Sequence, residues 1–289
     1  IMLIRRIPDK NKAAHEGRWL KEATGSFELR GKTLGIIGYG NIGTQVSVLA
    51  EALGMKVLFY DIETKLPLGN ATSCKNIREV VSKSDIVSLH IPETAQTKNL
   101  ISKSTLKHFK KGAMLINYAR GEVVDLQALA NAVQNKEIGG AAIDVFPIEP
   151  EKNGDVFTTP LQHQSNVILT PHIGGSTEEA QANIGDFVSN KILQYINKGD
   201  TYGSVNFPEV QLPSFENSHR LLHIHENVPG ILAKINAVYA KYNINIQAQY
   251  LKTTEEVGYV ITDISQDYSV ESLEEIKNIP HTIRFRILY

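Results

Sequence analysis

The chain has a single cysteine, Cys74, and no excess of charge of either sign. One cysteine cannot form a disulfide within the chain, and such sparse use of cysteine fits a reducing compartment. The 30 basic and 31 acidic residues nearly cancel, which argues against nucleic acid or a membrane surface as a partner. Apolar runs long enough to span a bilayer and a recognisable signal peptide are also missing. Together these absences predict a cytoplasmic globular protein.

The first residues are unusual for the start of a protein. The chain begins with isoleucine rather than methionine, and IMLIRRIPDK mixes apolar and basic residues. A helix-like stretch follows from Asn11 to Ala23. We therefore interpret the sequence as the interior of a longer protein, or as one whose upstream part is not included.

The most informative feature that the sequence does contain is a glycine-rich turn between a buried strand and a helix. Gly38, Gly40 and Gly43 in TLGIIGYGNIG fit the pattern GxGxxG. The first glycine allows a tight turn, the second lets the backbone approach a pyrophosphate, and the third lets the helix pack on the strand. Asp61 ends the next strand, where a carboxylate accepts hydrogen bonds from an adenosine ribose and repels a 2′-phosphate. The segment predicts a dinucleotide site that favours NAD over NADP; the alternative is a glycine turn that binds nothing.

Apolar strand-like runs alternate with helical patterns between Thr33 and Thr170. The runs are TLGIIG, KVLFYD, DIVSLHI, AMLIN, GGAAIDVF and NVILT. Between them, helices are predicted over residues 41–53, 77–82, 98–107 and 125–135. Continuous apolar strands mixed with helices predict an α/β fold, a Rossmann-type doubly wound parallel sheet covered on both faces. Since ligands bind such sheets at the carboxyl ends of the strands, the residues that directly follow each run are the candidates for a site.

The pattern changes in the last third of the chain. A long amphipathic helix is predicted from about Ser176 to Asn197, followed by a linker rich in Gly, Pro and Ser that reads KGDTYGSVNFPEVQLPSFENS. Beyond His219 come a strand, a helix, a hairpin, a helix and a last strand: RLLHIHE, GILAKINAVYAKY, INIQAQYLK with EVGYVITDIS, SVESLEEIK and TIRFRILY. This βαββαβ order predicts a ferredoxin-like unit. It is too small for a second catalytic centre and is typical of a binding or interaction module.

Three polar residues stand out in the loops that follow strands. Arg120 in NYARGEVVD can clamp a carboxylate with two parallel hydrogen bonds, and Glu149 in DVFPIEP lies in a loop stiffened by flanking prolines. His172 in TPHIGGST is suited to exchange a proton near neutral pH. Taken singly, they are explained as a surface arginine capping a turn, a solvated loop acid and a histidine satisfied by loop backbone. Together they supply the anchor, the acid and the carboxylate partner that hydride transfer to a keto carbon needs.

At this point the motifs are recognisable as a set. GYGNIG, NYARGEVVD, DVFPIEP and TPHIGGST resemble the D-isomer-specific 2-hydroxyacid dehydrogenases, and the tail resembles the ACT regulatory domain of members that act on 3-phosphoglycerate. The resemblance implies an NAD-binding Rossmann domain over 1–175, a returning substrate-lobe segment and linker over 176–217, and an ACT domain over 218–289. It also implies NAD-dependent oxidation of 3-phosphoglycerate to 3-phosphooxypyruvate, the first step of L-serine biosynthesis, with a possible side activity on 2-oxoglutarate.

The resemblance further implies roles for single residues. His172 is the proton donor, Glu149 is its partner, and Arg120 holds the substrate carboxylate and polarises the carbonyl. Trp19 and Lys21 lie where the family brings an aromatic and a basic residue toward the substrate; the alternative is a packed tryptophan and a snorkelling lysine of a helix. The implied cofactor contacts are Gly38, Gly40, Asn41, Ile42, Gly43, Asp61, Tyr118, Ala119, Arg120, Asp144, His172, Ile173, Gly174 and Gly175.

For the ACT-like tail, the resemblance implies L-serine as an inhibitory effector. His225 and Asn227 bind its amino-acid groups, and Asn245 reaches across from a partner subunit of a homotetramer. The alternative is an ACT fold that serves only as a dimer interface. The family often has a Gly-Gly hinge before the first ACT strand, where this chain reads SFENSHR.

Other function classes stay open at the level of the sequence. One is an NAD-sensing protein, such as a corepressor that keeps this fold, and another is a dehydrogenase for a different D-2-hydroxy acid. The ACT-like tail favours the serine-regulated dehydrogenase. In this family most of the substrate lobe precedes the nucleotide domain. We expect the chain as given, with one wall of the cleft, to bind NAD weakly and to turn over poorly.

Overall fold

The computed structural model describes residues 1–213 and 217–289 of the chain. The chain divides into two compact units, Ile1–Ser176 and Thr177–Tyr289. The segment SFENSHR stands where the family often has a Gly-Gly hinge. Its first three residues, 214–216, lie outside the described residues. Within the described residues, no helix has the length and apolar character needed to cross a membrane.

The first unit is built on a seven-stranded parallel sheet. Its strands are β1 (Thr33–Ile37), β2 (Lys56–Tyr60), β3 (Thr72–Ser73), β4 (Ile86–Leu89), β5 (Met114–Asn117), β6 (Gly140–Ile143) and β7 (Val167–Leu169). Neighbouring strands are parallel in the order β3-β2-β1-β4-β5-β6-β7. The chain reverses its direction across the sheet at β1, which makes the crevice between β1 and β4 the topological switch point where ligands bind. The doubly wound sheet is thereby confirmed; β3, with two residues, is too short to have a readable pattern.

Residues along each central strand alternate between two apolar cores on opposite faces of this sheet. Ile37, Leu89 and Leu115 belong to one buried cluster, and Ile36 and Met114 to the other. Successive side chains of a strand point to opposite faces, so two fully buried faces require continuous apolar runs. This is the physical reason why the strands were readable from the sequence.

The first unit contains five α-helices, of which three begin within one residue of the predicted positions. They are α1 (Ile7–His15), α2 (Asn41–Ala52), α3 (Ile77–Lys83), α4 (Lys103–Leu106) and α5 (Leu126–Gln134). The side chains of Asn76 and Asp125 cap α3 and α5 by accepting a backbone N–H three residues further on. Such caps satisfy an N–H group that has no partner within the helix.

The predictions for the two remaining helices were wrong in extent. The helix predicted over 11–23 is α1, which starts four residues earlier and ends before Gly17, whose φ of 78° is left-handed. The helix predicted over 98–107 shrinks to α4 because Asn99 has a φ of 51° and the N–H of Ile101 donates to the carbonyl of Val123 at 3.0 Å. This segment therefore pairs with the loop after β5 instead of coiling.

The second unit contains α6 (Glu178–Lys198) and a ferredoxin-like module. The module consists of β8 (Ser218–Glu226), α7 (Ile231–Lys241), β9 (Ile246–Thr253), β10 (Val257–Ser265), α8 (Val270–Lys277) and β11 (Thr282–Leu288). Its antiparallel sheet has the order β11-β8-β10-β9, and the helices α7 and α8 contribute to one apolar core. The predicted βαββαβ order is thereby confirmed.

A buried arginine binds the end of α6 to this second sheet. Arg220 on β8 pairs with Asp263 on β10 through hydrogen bonds of 2.6 and 2.7 Å. Its other N–H groups donate to the backbone oxygens of Lys198, Leu212 and Pro213 at 2.9, 3.0 and 2.7 Å. These five bonds use the whole donor capacity of the guanidinium group. The burial of this charge is therefore compensated by a carboxylate and three carbonyls.

Candidate active site

The glycine turn joins β1 to α2 and leaves open space at the start of the helix. Gly38 has a φ of 93°, and a Cβ there would lie 2.4 Å from the carbonyl oxygen of His90. A Cβ on Gly43 would lie 2.1 Å from the oxygen of Gly38, so only glycine allows the helix to approach the turn this closely. A Cβ on Gly40, by contrast, would meet nothing within 4 Å. The space beside Gly40 fits a pyrophosphate at the N-terminus of a helix.

Asp61 lies at the end of β2, beside this turn. Its carboxylate accepts the backbone N–H of Tyr39 at 2.7 Å and that of Glu63 at 3.0 Å. The bonds fix a negative charge at the position where a ribose hydroxyl is recognised in such folds. Asn41 and Ile42 open α2, both are exposed, and no side chain caps this helix. The residues at this turn therefore fit a dinucleotide.

Glu149 and His172 form a hydrogen-bonded pair. His172 Nδ1 lies 2.7 Å from Glu149 Oε2, and the backbone N–H of Phe146 donates to Glu149 Oε1 at 2.9 Å. Partial burial would raise the pKa of Glu149, but the hydrogen bonds from His172 and Phe146 outweigh it, so the pKa lies below its ordinary value. The ionised carboxylate accepts the Nδ1 proton. His172 Nε2 is thereby left to exchange a proton with a ligand, from a side chain that is 51% exposed.

A buried aspartate holds the backbone around this histidine. His172 has a φ of 53°, a left-handed conformation that costs a non-glycine residue free energy unless its surroundings enforce it. Its N–H donates to the carbonyl of Asp144 at 2.8 Å. The Asp144 carboxylate accepts the N–H groups of Ile173 at 3.0 Å and Gly174 at 2.9 Å, and the hydroxyl of Thr170. Asp144 therefore fixes the loop that presents His172.

The loop after β5 is organised by the amide of Asn117. This buried side chain accepts the N–H of Ala119 at 3.1 Å and donates to the carbonyl of Arg120 at 2.9 Å. Arg120 itself is exposed, and its guanidinium donates to the oxygen of Ala119 at 2.6 Å. The hydroxyl of Tyr118 lies 3.2 Å from that of Thr170, which connects this loop to the His172 loop. Asn117 lies among the strand-end positions that the sequence singles out, but no role was predicted for its side chain, and Thr170 was not predicted at all, although each is a polar residue that closes an apolar run.

The loops after β5 and β6 also touch through their backbones. A Cβ on Gly121 would lie 2.0 Å from the carbonyl carbon of Phe146 and 2.5 Å from the nitrogen of Pro147. Gly121 is the neighbour of Arg120, and the backbone N–H of Phe146 donates to Glu149. The close approach of Gly121 to Phe146 therefore places the loop of Arg120 beside the loop of Glu149. The structure thus gathers Arg120, Glu149 and His172 on adjacent loops at the carboxyl edge of the sheet. Ile173, Gly174 and Gly175 continue the His172 loop.

Trp19 and Lys21 do not join this group. Both lie in an exposed, non-helical stretch after α1, and Trp19 is 85% exposed. Among the described residues, no hydrogen bond or ring contact connects either of them with Arg120, Glu149 or His172. The alternative of a packed tryptophan and a snorkelling lysine on a helix is wrong, because the helix ends at His15.

The three predicted effector residues lie at two ends of the second sheet. His225 is buried, donates from Nδ1 to the carbonyl of Glu226 at 2.8 Å, and leaves Nε2 without a partner among the described residues. Asn227 is close by in sequence and donates to the carbonyl of Thr254 at 2.8 Å. Asn245 precedes β9, and its backbone carbonyl accepts the N–H of Ser265 at 3.1 Å. Since His225 pairs with Gly258 at the other end of β10, one chain does not bring Asn245 to His225.

Comparisons with known proteins agree with this architecture. Residues 1–174 match the family model of the D-isomer specific 2-hydroxyacid dehydrogenase NAD binding domain, and residues 221–284 match the AHAS small subunit-like ACT domain. The D-3-phosphoglycerate dehydrogenase of Haemophilus influenzae is 54% identical over 289 residues, and that of Escherichia coli K12 is 53% identical over 291 residues. Each alignment covers 100% of this chain, and 70% and 71% of the two relatives.

Solved structures resemble the chain over about two thirds of its length. A D-lactate dehydrogenase from Sporolactobacillus sp. has a TM-score of 0.63 and 34% identity, with 71% of this chain and 64% of that chain covered. The NAD-complexed D-isomer specific 2-hydroxyacid dehydrogenase of Lactobacillus delbrueckii ssp. bulgaricus has a TM-score of 0.61 and 32% identity, with coverage of 68% and 65%. The chain therefore spans somewhat less than two thirds of these solved chains. It belongs to the D-isomer-specific 2-hydroxyacid dehydrogenase family and combines that family's NAD-binding domain with a C-terminal ACT domain.

Proposed function

We propose that this chain acts in the NAD-dependent oxidation of 3-phosphoglycerate to 3-phosphooxypyruvate, the first step of L-serine biosynthesis. The observation that carries the proposal is the 2.7 Å pair of His172 and Glu149 at the carboxyl edge of the sheet that bears the glycine turn. The names of the curated relatives, at 53–54% identity across the whole chain, supply the substrate. A cytoplasmic location and a side activity on 2-oxoglutarate belong to the same proposal.

The proposed chemistry divides between the cofactor and three side chains. NAD+, held at the glycine turn, would supply the acceptor for the hydride that leaves the carbon bearing the substrate hydroxyl. His172 takes the hydroxyl proton on Nε2 during oxidation and returns it during reduction, a role that contributes on the order of 10²–10⁴-fold in rate. Glu149 keeps the ring oriented and stabilises its charged form. Arg120 holds the substrate carboxylate and polarises the developing carbonyl.

The proposed cofactor site follows the geometry of the turn and the loops. The N–H groups at the start of α2 receive the pyrophosphate, and Asp61 binds the ribose of the adenosine. Asp144 has room for one more donor, since a carboxylate offers about four acceptor positions and the protein uses three of them, and we assign it the nicotinamide carboxamide. The remaining proposed contacts are Gly38, Gly40, Asn41, Ile42, Gly43, Tyr118, Ala119, Arg120, His172, Ile173, Gly174 and Gly175. Trp19 and Lys21 stay candidates for substrate contact only.

The proposed regulation rests on the ACT domain. L-serine inhibits by binding His225 and Asn227 of one copy and Asn245 of another, in a homotetramer. The placement of Asn245 at the opposite end of β10 from His225 supports a site shared between copies. We assign residues 1–175 to NAD binding, 176–217 to a returning substrate-lobe segment and linker, and 218–289 to regulation.

The test is NADH oxidation with 3-phosphooxypyruvate, with and without L-serine, using protein expressed from the complete reading frame that encodes this chain. Turnover that serine suppresses supports both assignments. Turnover that ignores serine keeps the enzyme and reduces the ACT domain to an assembly module. A folded, NADH-binding protein without turnover overturns the substrate assignment; it favours another D-2-hydroxy acid or an NAD-sensing, corepressor-like protein.

A further inference from the structure

A cavity of about 700 Å³ lies at the edge of the first sheet opposite to the glycine turn and His172. Its lining includes residues that directly precede strands: Lys32 before β1, Asp85 before β4, Ala113 before β5 and Asn166 before β7. The amino ends of parallel strands all lie at one edge of a sheet, whereas the predicted catalytic loops follow the carboxyl ends. The cavity has the size of a small-molecule site and is separate from the active-site loops.

The charges that line this cavity are five cations and one carboxylate. Lys110 pairs with the carboxylate, Asp85, at 2.5 Å, and Arg6 pairs with Asp9 at 2.9 Å. In the part of the chain that the structure describes, three lining lysines make no ion pair: Lys32, Lys111 and Lys136. The cavity therefore carries a positive field that the protein itself does not neutralise.

Interactions within the protein, such as those with the end of a helix or with an aromatic ring, account for only part of this positive charge. α5 ends at Gln134 on the rim of the cavity, and a helix C-terminus carries roughly half a negative charge, which Lys136 suffices to offset. The ammonium of Lys32 lies 5.2 Å from the ring centre of Phe27, a contact that does not cancel its charge. The carboxylate of Asp85 attracts Lys32 as well as Lys110. One lining carboxylate therefore faces two lysines, and Lys111 has no ion pair among the described residues, so an anion that enters the cavity gains their attraction.

A polar group of the lining also lacks a partner. Asn166 is 5% exposed, and its amide nitrogen donates to the carbonyl of Gly139 at 2.7 Å. Its amide oxygen is buried and accepts no hydrogen bond from the described residues. Buried acceptors are almost always satisfied in folded proteins, so this oxygen calls for a donor that the protein does not supply. A hydroxyl group on a ligand is such a donor.

We propose that this cavity binds a small organic phosphate that carries at least one hydroxyl group. The phosphate lies among Lys32, Lys111 and Lys136, whose ammonium groups suit a phosphate as point charges. The hydroxyl donates to the amide oxygen of Asn166. The site is independent of the proposed dehydrogenase reaction, because none of its residues belongs to the glycine turn or to the loops of Arg120, Glu149 and His172.

Isothermal titration calorimetry with glycerol 3-phosphate tests the proposal on the protein expressed from its complete reading frame. This probe has a phosphate and two hydroxyls, but no carboxylate for Arg120 to hold. Inorganic phosphate is the second probe, since it lacks a carbon-bound hydroxyl. The double variant K111Q/K136Q removes two lining lysines that make no ion pair. The double variant K103Q/K107Q, with exposed lysines outside this cavity, is the matched control.

We expect glycerol 3-phosphate to bind with a Kd on the order of 0.1–1 mM at low salt and more weakly as salt screens the lysines. K111Q/K136Q weakens binding by about tenfold or more, whereas K103Q/K107Q changes it by less than about twofold. NADH affinity stays the same in all variants, which shows that they fold. Absence of binding at about 10 mM probe, or an equal loss in the control variant, overturns the site. Equal affinity for inorganic phosphate overturns the role of the hydroxyl and of Asn166.

Discussion

The two units of this protein use histidine in opposite ways. In the first unit, His172 is half exposed and hydrogen-bonded to a carboxylate, Glu149. In the second unit, His223 is buried beside another histidine, His225, with their ring centres 5.6 Å apart. Burial, and then the neighbouring His225, lower the pKa of His223 to about 4. The surroundings therefore determine whether a histidine is available to carry a proton or is held neutral.

Hydrogen bonding also fixes the tautomer of the buried histidine. The hydroxyl of Thr282 donates to the carbonyl of Ile279 at 2.7 Å, so its oxygen is free to accept the Nε2–H of His223 at 2.9 Å. In the first unit the carboxylate of Glu149 binds Nδ1 of His172, so that Nε2 is the nitrogen available to a ligand. A carboxylate partner suits a group that has to become charged, and a hydroxyl partner suits one that has to stay neutral.

The largest effect should come from the exposed histidine. We expect H172Q to lower kcat for 3-phosphooxypyruvate reduction by about 10³-fold, because an amide cannot supply the proton. Thermal stability should hardly change, since half of the side chain faces solvent. Steady-state NADH oxidation measures the first quantity and thermal unfolding the second. A loss of less than tenfold would contradict the assignment of His172 as the acid.

The buried histidine should act on stability instead. Because the folded pKa of His223 lies at about 4, below the ordinary value of 6.5, the unfolded chain binds more protons between these two pH values. Stability is complete above pH 6.5 and is lost as the pH falls toward 4, by about 3 kcal/mol in total. We expect H223Q to remove most of this dependence while kcat stays within about twofold.

Hydrogen exchange of the β8 amides at pH 8 and pH 4.5 measures this local free energy of opening. H172Q serves as the control and should keep the wild-type pH dependence, because its histidine lies in the other unit. An unchanged pH dependence in H223Q would show that His223 is not held neutral in the folded protein.

Removal of the carboxylate partner should have an intermediate effect. In E149Q the ring keeps a hydrogen-bond partner but loses the negative charge that favours its protonated form. We expect kcat to fall by about 10–100-fold, and the pH at which reduction is half-maximal to move to lower values. Full pH–rate profiles of E149Q and of the wild type measure both the loss of kcat and the shift of the half-maximal pH. A reduced rate without a shift of the profile would assign Glu149 to orientation alone.

The smallest effect should come from the scaffold of the first unit. T170V removes the hydroxyl that donates to Asp144 and lies 3.2 Å from the hydroxyl of Tyr118. Loss of one such hydrogen bond costs about 1 kcal/mol, so we expect kcat/KM to fall by about three- to tenfold. T170S keeps the hydroxyl and should restore the wild-type value. If T170S is as impaired as T170V, the methyl group rather than the hydroxyl is what positions the loop.

Much of the fold was predictable because its signals are local. A strand buried on both faces needs an unbroken apolar run, and the ends of all six predicted strands of the first sheet lie within three residues of the expected positions. The glycines at 38 and 43 were readable for the same reason, since one needs a positive φ and the other a close backbone approach. Arg120, Glu149 and His172 each lie two or three residues after such a run. Parallel strands then bring these positions to one edge of the sheet.

What the sequence did not show depends on contacts distant in the chain. α4 is short because Ile101 pairs with the loop at Val123, a contact that no local pattern encodes. Asn117 and Thr170 look like the polar ends of strands until the structure reveals that they hold neighbouring loops. The burial of His223 and His225 was hidden as well, since a strand sequence does not say which face a helix covers.

The five bonds of Arg220 have a mechanical consequence. Arg220 donates to the carbonyls of both Lys198 and Leu212, and the hydroxyl of Tyr259 donates to the carbonyl of Gly199 at 2.7 Å. A force applied along α6 is therefore transmitted directly to β8 and β10. Val205 is fully exposed and lies outside these contacts, whereas Val210 packs with Leu222 and Tyr259 in a buried cluster. An insertion of a few polar residues at Val205 should therefore leave the connection between α6 and the sheet intact, whereas R220M, which removes all five hydrogen bonds, should weaken it.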